Sequence, residues 1–437
     1  MATRSTWRSL RLAIALLLPV STGVFASPEP GPTGHGLMQG FPPIAEQRVK
    51  RETTMIAPFN RWAFQHIREL HPTRVVLRDA ARVSPLASDL RDLGGFSAPV
   101  REGRVATLEQ LLDASHTDAF LVLHRGRIVY ERYLNGMQPY TPHLMFSCTK
   151  SFVGTMLLML IEQGRVDAAK PVSHYVPELA RSAFGEASVQ QLLDMTTSIR
   201  FEEVYADHDS DWGRYGDVFG MFGGTTGNRK GPTSIFDYLP TLEREGAHGR
   251  AFRYVTPNTD VLGWILSRVT GLSVAAALET MLWQPLGAEH DGYIWLDSGG
   301  REMAGAGLSI APRDAARFGQ MILEQGRYDG RQVVPASVAA RILRPGNPEI
   351  FTKLYPDDPW YGPIGHSYHD QWWSFNNAHD TVSAIGIHGQ YIWLDPVAQM
   401  VVVKVSSSPD AEGGANDLND SDLPLFYPAL AEFLMRQ

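Results

Sequence analysis

Residues 146–162, FSCTKSFVGTMLLMLIE, set the hydroxyl of Ser147 and the amine of Lys150 three positions apart at the start of a strongly apolar segment. Apolar residues fall on nearly every face of the predicted helix, which is typical of a helix at the centre of a fold. Positions i and i+3 share a helix face, so the lysine can reach the serine hydroxyl. The segment therefore predicts a buried central helix with a Ser-Lys pair at its first turn.

The pair of Ser147 and Lys150 fits nucleophilic catalysis. A serine is a poor nucleophile until a base takes its proton, and a lysine can be that base when its ammonium form is disfavoured. Burial and the positive end of the helix dipole both disfavour the ammonium form, and the helix start directs the Ser147 N–H toward a developing oxyanion. The alternative is a helix cap followed by a lysine that extends to solvent. Arginine far outnumbers lysine in this chain, which makes a lysine in an apolar helix unusual.

A second candidate lies at residues 252–260, FRYVTPNTD, just before a helix predicted over residues 259–270. Asn258 is the candidate N-cap of that helix, and Gly271 is its stop. Tyr254 lies on the turn, where a phenol can relay a proton between nucleophile and leaving group. The alternative is a tyrosine used for packing.

A third candidate is the segment 384–390, AIGIHGQ, on the penultimate predicted strand. Glycines inside a strand mark a bulge or a close approach of the backbone to a ligand. A strand beside the nucleophile can provide a backbone N–H as the second donor of an oxyanion hole. The segment therefore predicts one wall of a catalytic cleft.

The remaining patterns predict an α+β fold. Residues 119–133 read as a β-hairpin, and strands return at 383–394 and 400–406, followed by a helix over about 423–435. Residues 166–300 alternate helical patterns with glycine-rich loops and contain no convincing strand pair. We expect an antiparallel sheet built from both chain ends and flanked by helices, with a mostly helical lobe inserted between them.

The N-terminus predicts export. Three arginines precede an apolar run at residues 12–20, and small residues end at Ala26, which is the layout of a signal peptide cleaved after that alanine. The alternative, an uncleaved membrane anchor, would need a longer apolar run. No later segment approaches 18 uninterrupted apolar residues, so we expect an exported protein, periplasmic or secreted, without stable membrane insertion after cleavage.

These observations divide the chain into a signal peptide over residues 1–26, an N-terminal lead-in over 27–104 and one main domain over 105–437. Within the main domain we expect two parts, an α/β part formed by residues 105–165 and 301–437, and a helical insertion over 166–300.

The net charge and the cysteine content limit the classes of binding partner and the cross-links that the sequence predicts. The formal net charge is -8, and an acidic chain without a basic patch is a poor partner for nucleic acid. Cys148 is the only cysteine, so no intrachain disulfide can form. We expect a small-molecule ester or amide as partner and no metal or cofactor; the oligomeric state is not predicted.

The order of the three segments resembles the β-lactamase and penicillin-binding superfamily. Within it the likeness is closest to the 6-aminohexanoate-dimer hydrolases, the class C β-lactamases and the related carboxylesterases. It is carried by residues 254–271 (YVTPNTDVLGWILSRVTG) and 386–396 (GIHGQYIWLDP) and covers about residues 105–437. The resemblance implies a β-lactamase/transpeptidase-like fold.

The resemblance also implies catalytic roles. Ser147 would be the acylated nucleophile, Lys150 its general base and Tyr254 the proton relay. The backbone N–H groups of Ser147 and Ile387 would form the oxyanion hole. A serine hydrolase that works through an acyl-enzyme is therefore expected.

Four further residues are candidates for binding substrate. Tyr205 resembles an extra tyrosine on the flexible loop of the dimer hydrolases, although a loop tyrosine without a role is an equal alternative. Asn258 lies close to the place of the family's Tyr-x-Asn asparagine, where this chain has Thr256. His388 lies on the glycine-bearing strand. Trp373 belongs to an aromatic cluster that could line the cleft or form core.

One departure from the family pattern bears on the substrate. Ala384, Ile385 and Gly386 stand where the family has Lys-Thr-Gly, whose lysine normally holds the carboxylate of a β-lactam. We therefore expect ester or linear amide substrates. A β-lactamase or D,D-peptidase, with Arg253 supplying the missing charge, is one alternative, and a non-catalytic sensor with the same fold is another.

Overall fold

The computed structural model describes residues 36–222, 231–354, 366–413 and 418–437. The predicted signal peptide, residues 1–26, and the first part of the lead-in lie outside the described residues.

The strands of the described residues, in chain order, are β1 Thr73–Val76, β2 Ala87–Ser88, β3 Ser97–Pro99, β4 Val105–Thr107, β5 Thr117–His124, β6 Arg127–Tyr133, β7 His143–Leu144, β8 Gly292–Trp295, β9 Leu308–Ile310, β10 Arg327–Tyr328, β11 Arg331–Gln332, β12 Ser367–His369, β13 Trp372–Ser374, β14 Val382–Gly386, β15 Gln390–Asp395 and β16 Met400–Ser406.

The helices of the same residues are α1 Asn60–Ala63, α2 Ile67–Leu70, α3 Leu108–Ala114, α4 Thr149–Glu162, α5 Val172–Tyr175, α6 Val189–Leu193, α7 Asp211–Val218, α8 Ile235–Tyr238, α9 Pro257–Thr270, α10 Val274–Leu278, α11 Gln284–Leu286, α12 Pro312–Leu323, α13 Ala336–Ile342, α14 Pro348–Thr352 and α15 Leu423–Met435.

The main sheet confirms the predicted architecture. Its strand order is β12-β13-β14-β15-β16-β5-β6-β2, and every pair is antiparallel except β2 with β6. The predicted hairpin at 119–133 is formed by β5 and β6. The C-terminal strand β16 pairs with β5, for example through Val402 and Val122. Strands from both chain ends therefore share one sheet.

Helices cover both faces of the main sheet. Along β5, Leu121 and Leu123 belong to the core that includes α4 and α12. Phe120 and Val122, which alternate with them, belong to a second core shared with α15. This alternation is the period of two expected for a strand buried on both faces. Helix α15 begins and ends at the predicted residues.

A second sheet was not predicted. It has the order β1-β8-β9-β7, and its strand β8 lies inside the segment 166–300, where we expected no strand pair. The described residues of that segment contain no strand pair of their own, as expected, because the partners of β8 come from outside it: β1 from the lead-in and β9 from the residues that follow. What the sequence did not predict is β8 itself. Local sequence contains no hairpin pattern for strands that pair only through tertiary contacts.

Two predicted boundaries are wrong. Helix α9 begins at Pro257 with Thr256 as N-cap, so Asn258 lies inside the helix; proline is favoured at the first helical position because its missing N–H is not needed there. The predicted strand 383–394 is two strands, β14 and β15, joined by a turn in which His388 and Gly389 have positive φ.

The central helix is preceded by a 3₁₀ turn, Phe146–Cys148, and α4 then continues from Thr149 to Glu162. Its residues from Thr149 to Leu160 are all buried, as the sequence predicts. Among the described residues, no single helix is long and apolar enough to span a membrane; α9 with Val274–Leu286 passes that test as a pair, but is bent by 72°.

Candidate active site

Ser147 and Lys150 meet at the start of the central helix. Lys150 Nζ lies 2.8 Å from Ser147 Oγ, within hydrogen-bond distance. The serine is 8% exposed, whereas the lysine is 1% exposed. The i, i+3 spacing thus produces the contact expected from it, although the serine belongs to the 3₁₀ turn and the lysine to α4.

Two further oxygens accept hydrogen bonds from the amine of Lys150. Its Nζ donates to Thr256 Oγ1 at 2.9 Å and to the Gly305 carbonyl oxygen at 2.9 Å. A neutral amine has two N–H groups and one lone pair. In the neutral form, two N–H groups directed at Thr256 and Gly305 leave the lone pair for the Ser147 hydroxyl, which is the orientation a general base requires.

The pKa of Lys150 suits this role. Burial lowers it from its ordinary value to about 8, against the opposing effect of the acidic residues Glu203 and Asp260. About a tenth of the amine is therefore neutral at pH 7. Burial also raises the pKa of Cys148 far above its ordinary value, so the thiol beside the serine is not a competing nucleophile.

The acceptor Gly305 is held by a buried acid. Asp260 Oδ1 accepts from Gly305 N at 3.2 Å, and Asp260 Oδ2 accepts from Tyr215 Oη at 2.8 Å. Burial raises the pKa of Asp260 to about 7. The Gly305 peptide is thus fixed with its N–H toward Asp260 and its carbonyl toward Lys150.

Tyr254 lies beside the lysine on an aromatic wall. Lys150 Nζ is 4.9 Å from the centre of its ring. Trp373 stacks on Tyr254, with ring centroids 5.6 Å apart and planes inclined by 24°, and Tyr368 packs edge-on at 6.0 Å. The partly buried Ile385 packs against the same cluster. These contacts place Tyr254 and Trp373 together near the Ser-Lys pair.

The glycine-bearing strand approaches the nucleophile closely. A Cβ added at Gly386 would lie 2.5 Å from the Met145 carbonyl oxygen and 3.1 Å from Ser147 N, so a larger residue cannot occupy this position without moving the backbone. Ile387, the predicted second oxyanion donor, directly follows Gly386, the last residue of β14.

Tyr205 lies on the loop that precedes α7. Its hydroxyl donates to Glu203 Oε2 at 2.7 Å, and Glu203 Oε1 accepts from Thr256 N at 2.6 Å. The loop is thereby joined to the residue that binds Lys150. Tyr205 is partly buried and packs edge-on against Trp212.

Asn258 and His388 are buried, and their polar atoms bond to other groups of the protein. Asn258 is fully buried; its Oδ1 accepts from Thr197 Oγ1 at 2.9 Å and its Nδ2 contacts Met195 Sδ at 3.2 Å. His388 is 3% exposed, bonds the Ser408 carbonyl through Nδ1 at 2.7 Å and packs against Phe64 and Phe146. Burial lowers its pKa to about 4.

Sequence reasoning missed Thr256, Gly305, Glu203 and Asp260 as parts of the site. Thr256 and Gly305 are 106 and 155 residues from Lys150, so no local spacing connects them to the motif. The one available signal was Thr256 at the third position of the tyrosine turn. Among the described residues, no group of three or more His, Cys, Asp or Glu could hold a metal ion.

Comparisons with known proteins give the family and the fold of the chain. Residues 105–424 match the model of the β-lactamase family. The 6-aminohexanoate-dimer hydrolase of Paenarthrobacter ureafaciens is 38% identical over 385 residues, 85% of this chain and 91% of that protein. A solved structure from Bacillus anthracis, provisionally named a 6-aminohexanoate-dimer hydrolase, superposes with a TM-score of 0.81 at 31% identity and covers 90% of this chain and 99% of its own.

A family VIII carboxylesterase shares the fold at 18% identity, with a TM-score of 0.53 over 74% of this chain and 96% of its own. The family match spans most of the chain, and the Paenarthrobacter relative is similar over nearly all of it. The chain belongs to the β-lactamase family of serine hydrolases.

Proposed function

We propose that this serine hydrolase cleaves linear amide or ester bonds through an acyl-enzyme on Ser147. The observation that carries the proposal is the buried Lys150 amine, 2.8 Å from the Ser147 hydroxyl and with a pKa lowered to about 8. A buried amine oriented by two acceptors can take the serine proton at the moment of attack.

In the acylation step, Ser147 Oγ attacks the substrate carbonyl carbon while Lys150 Nζ takes the hydroxyl proton. The N–H groups of Ser147 and Ile387 stabilise the oxyanion. The bond to the leaving amine or alcohol then breaks, and the leaving group receives a proton through Tyr254, which returns the lysine to its neutral form. In the deacylation step, water attacks the ester formed on Ser147 through the same steps, which releases the acid and restores the Ser147 hydroxyl.

We propose neutral linear substrates, with a short amide of the 6-aminohexanoate type as the leading class. The relative that is 38% identical is named for such a substrate. The aromatic wall of Tyr254 and Trp373 offers apolar contact to an extended chain. Tyr205, on the loop before α7, is the proposed hydrogen-bonding contact. Asn258 and His388 are proposed to support the fold of the site, because their polar atoms are already used by protein groups.

The test is labelling with a fluorophosphonate, followed by mass mapping of the modified residue. We expect the label on Ser147, and we expect Ser147→Ala to lose both the label and turnover of p-nitrophenyl butyrate while its thermal unfolding stays nearly unchanged. Label on another residue, or activity of Ser147→Ala above a few per cent, would contradict the assignment.

A further inference from the structure

Glu203 connects the Tyr205 loop to the start of helix α9. Its carboxylate is half-buried and uses both oxygens: Oε1 accepts from Thr256 N at 2.6 Å and Oε2 accepts from Tyr205 Oη at 2.7 Å. Thr256 is the N-cap residue of α9. A carboxylate at a helix N-terminus also interacts favourably with the helix dipole.

Thr256 connects Glu203 to Lys150 through two hydrogen bonds. Its backbone N–H is held by Glu203, and its Oγ1 accepts from Lys150 Nζ at 2.9 Å. A fixed backbone at Thr256 fixes the position from which the hydroxyl reaches the amine. Glu203 therefore acts on the geometry of Lys150 through one intervening residue.

The acidic residues that act on Lys150 come from two parts of the chain. Glu203 lies on the loop and Asp260 on α9, and each opposes the effect of burial on the pKa of Lys150, Glu203 most strongly. The buried Cys148 thiol beside them is neutral, because burial raises its pKa far above the ordinary value. Asp260 shares its carboxylate with Tyr215 and Gly305, and burial raises its own pKa to about 7. Glu203 is therefore the principal acidic partner of the amine.

We propose that Glu203 is a positioning residue for Lys150, which fixes Thr256 and provides a counter-charge for the ammonium that forms when the lysine takes the serine proton. The inference rests on the proposed roles of Ser147 and Lys150. Catalysis depends on interactions that are stronger in the transition state than in the ground state. A carboxylate that faces the amine gains attraction as positive charge develops there.

The test is the pH dependence of kcat/KM in Glu203→Gln, with p-nitrophenyl butyrate as substrate. The amide oxygen can still accept from Thr256 N, and the amide NH2 group can donate to Tyr205 Oη, so both contacts are kept, the second in the reverse direction, and the charge is removed. An acidic neighbour raises a lysine pKa, so its loss lowers that pKa, and the rising acid limb should move to lower pH by roughly one unit. The rate on the plateau should fall about tenfold, because the developing ammonium has lost its counter-charge.

Glu202→Gln is the matched control, since Glu202 is the exposed neighbour and its replacement makes the same change in net charge. We expect its profile to coincide with that of the unchanged enzyme. Glu203→Asp keeps the charge but shortens the side chain, so its acid limb should stay in place while its rate falls. Thermal unfolding of each variant checks that it is folded. If Glu203→Gln is not folded, Glu203→Asp is used to test the inference.

The inference is overturned if Glu203→Gln gives the same profile as Glu202→Gln, or if Glu203→Asp moves the limb as far as Glu203→Gln does. Its failure can be told from failure of the proposed function. An unchanged enzyme that is not labelled by fluorophosphonate at Ser147 contradicts the proposed function. A labelled enzyme whose Glu203→Gln profile does not move contradicts the role of Glu203 alone.

Discussion

In its neutral form, the Lys150 amine directs its lone pair at Ser147, because Thr256 and Gly305 accept its two N–H groups. This arrangement needs an amine and cannot be reproduced by a guanidinium. Arginine keeps its charge at any working pH and has no lone pair available for a proton. The identity of residue 150 therefore matters more than its charge.

We predict that Lys150→Arg is nearly as inactive as Lys150→Ala, each at least about a thousandfold slower than the unchanged enzyme, as expected for loss of an essential base. The measurement is kcat for a p-nitrophenyl ester, with circular dichroism as a check on folding. If Lys150→Arg retained most of the rate, the lysine would be an electrostatic support and another group would be the base.

For individual residues, the sequence predicted contacts between residues that are close together along the chain. Ser147 and Lys150 share a turn, so their contact follows from helix geometry. The same reasoning could not find Glu203 or Gly305, because only the tertiary fold brings them to the amine. It also suggested Arg253 as a substitute cation, but Arg253 donates to Glu245 Oε2 at 2.6 Å, and its charge is already paired.

Among the elements, β14 and its turn decide the geometry of the second oxyanion donor. Gln390 Nε2 donates to the Ile387 carbonyl at 3.1 Å and to the Ser406 carbonyl at 2.8 Å. The buried Lys404 bonds Asp420 Oδ1 at 2.8 Å beside Gly389. The turn between β14 and β15 is thus held by side chains on β15 and β16, and Ile387 is fixed within it.

We predict that Gly386→Ala lowers kcat by at least about tenfold, because the added methyl group would lie 2.5 Å from the Met145 carbonyl and push β14 away from Ser147. Gly95→Ala is the control, since a Cβ there meets nothing within 4 Å. The measurement is the steady-state kcat of both variants with the same ester. Equal rates would mean that the strand can shift without disturbing the oxyanion hole.

Element prediction succeeded where partners are close in sequence. The hairpin of β5 and β6 and the helices α4 and α15 follow from local periodicity. It failed at β8, whose partner β1 lies more than 200 residues earlier in the chain, and at the turn of His388 and Gly389, where a residue other than glycine adopts positive φ. Strong tertiary packing of His388 against Phe64 and Phe146 overrides that local preference.

For the whole molecule, export is a separate proposal that rests on the first 26 residues. We predict that the protein expressed with its full N-terminus in a Gram-negative host is recovered outside the cytoplasm with Ser27 as its first residue. N-terminal sequencing of the fractionated protein is the measurement, and a variant that lacks residues 1–26 should remain inside the cell. Recovery of the intact chain in the membrane fraction would favour an uncleaved anchor.

The choice of substrate also belongs to the whole molecule, because it depends on the charge that the cleft presents. Ala384 is buried in β14 at the position of the family's carboxylate-binding lysine, and Ile385 beside it packs with the aromatic wall. Arg253 cannot replace the missing cation while it is paired with Glu245. A cleft built in this way offers apolar contact to a neutral chain and little attraction to an anion.

We therefore predict that neutral linear substrates exceed β-lactams in kcat/KM. A charge-assisted hydrogen bond contributes about 1.5–3 kcal/mol, so its absence should cost roughly ten- to hundredfold with an anionic β-lactam. The measurement compares nitrocefin, p-nitrophenyl butyrate and a linear 6-aminohexanoate amide in one assay. Ala384→Lys is the matched variant, and it should raise kcat/KM for nitrocefin relative to the ester if the side chain reaches the cleft. A clear preference of the unchanged enzyme for nitrocefin would contradict the amidase and esterase proposal and make the protein a β-lactamase.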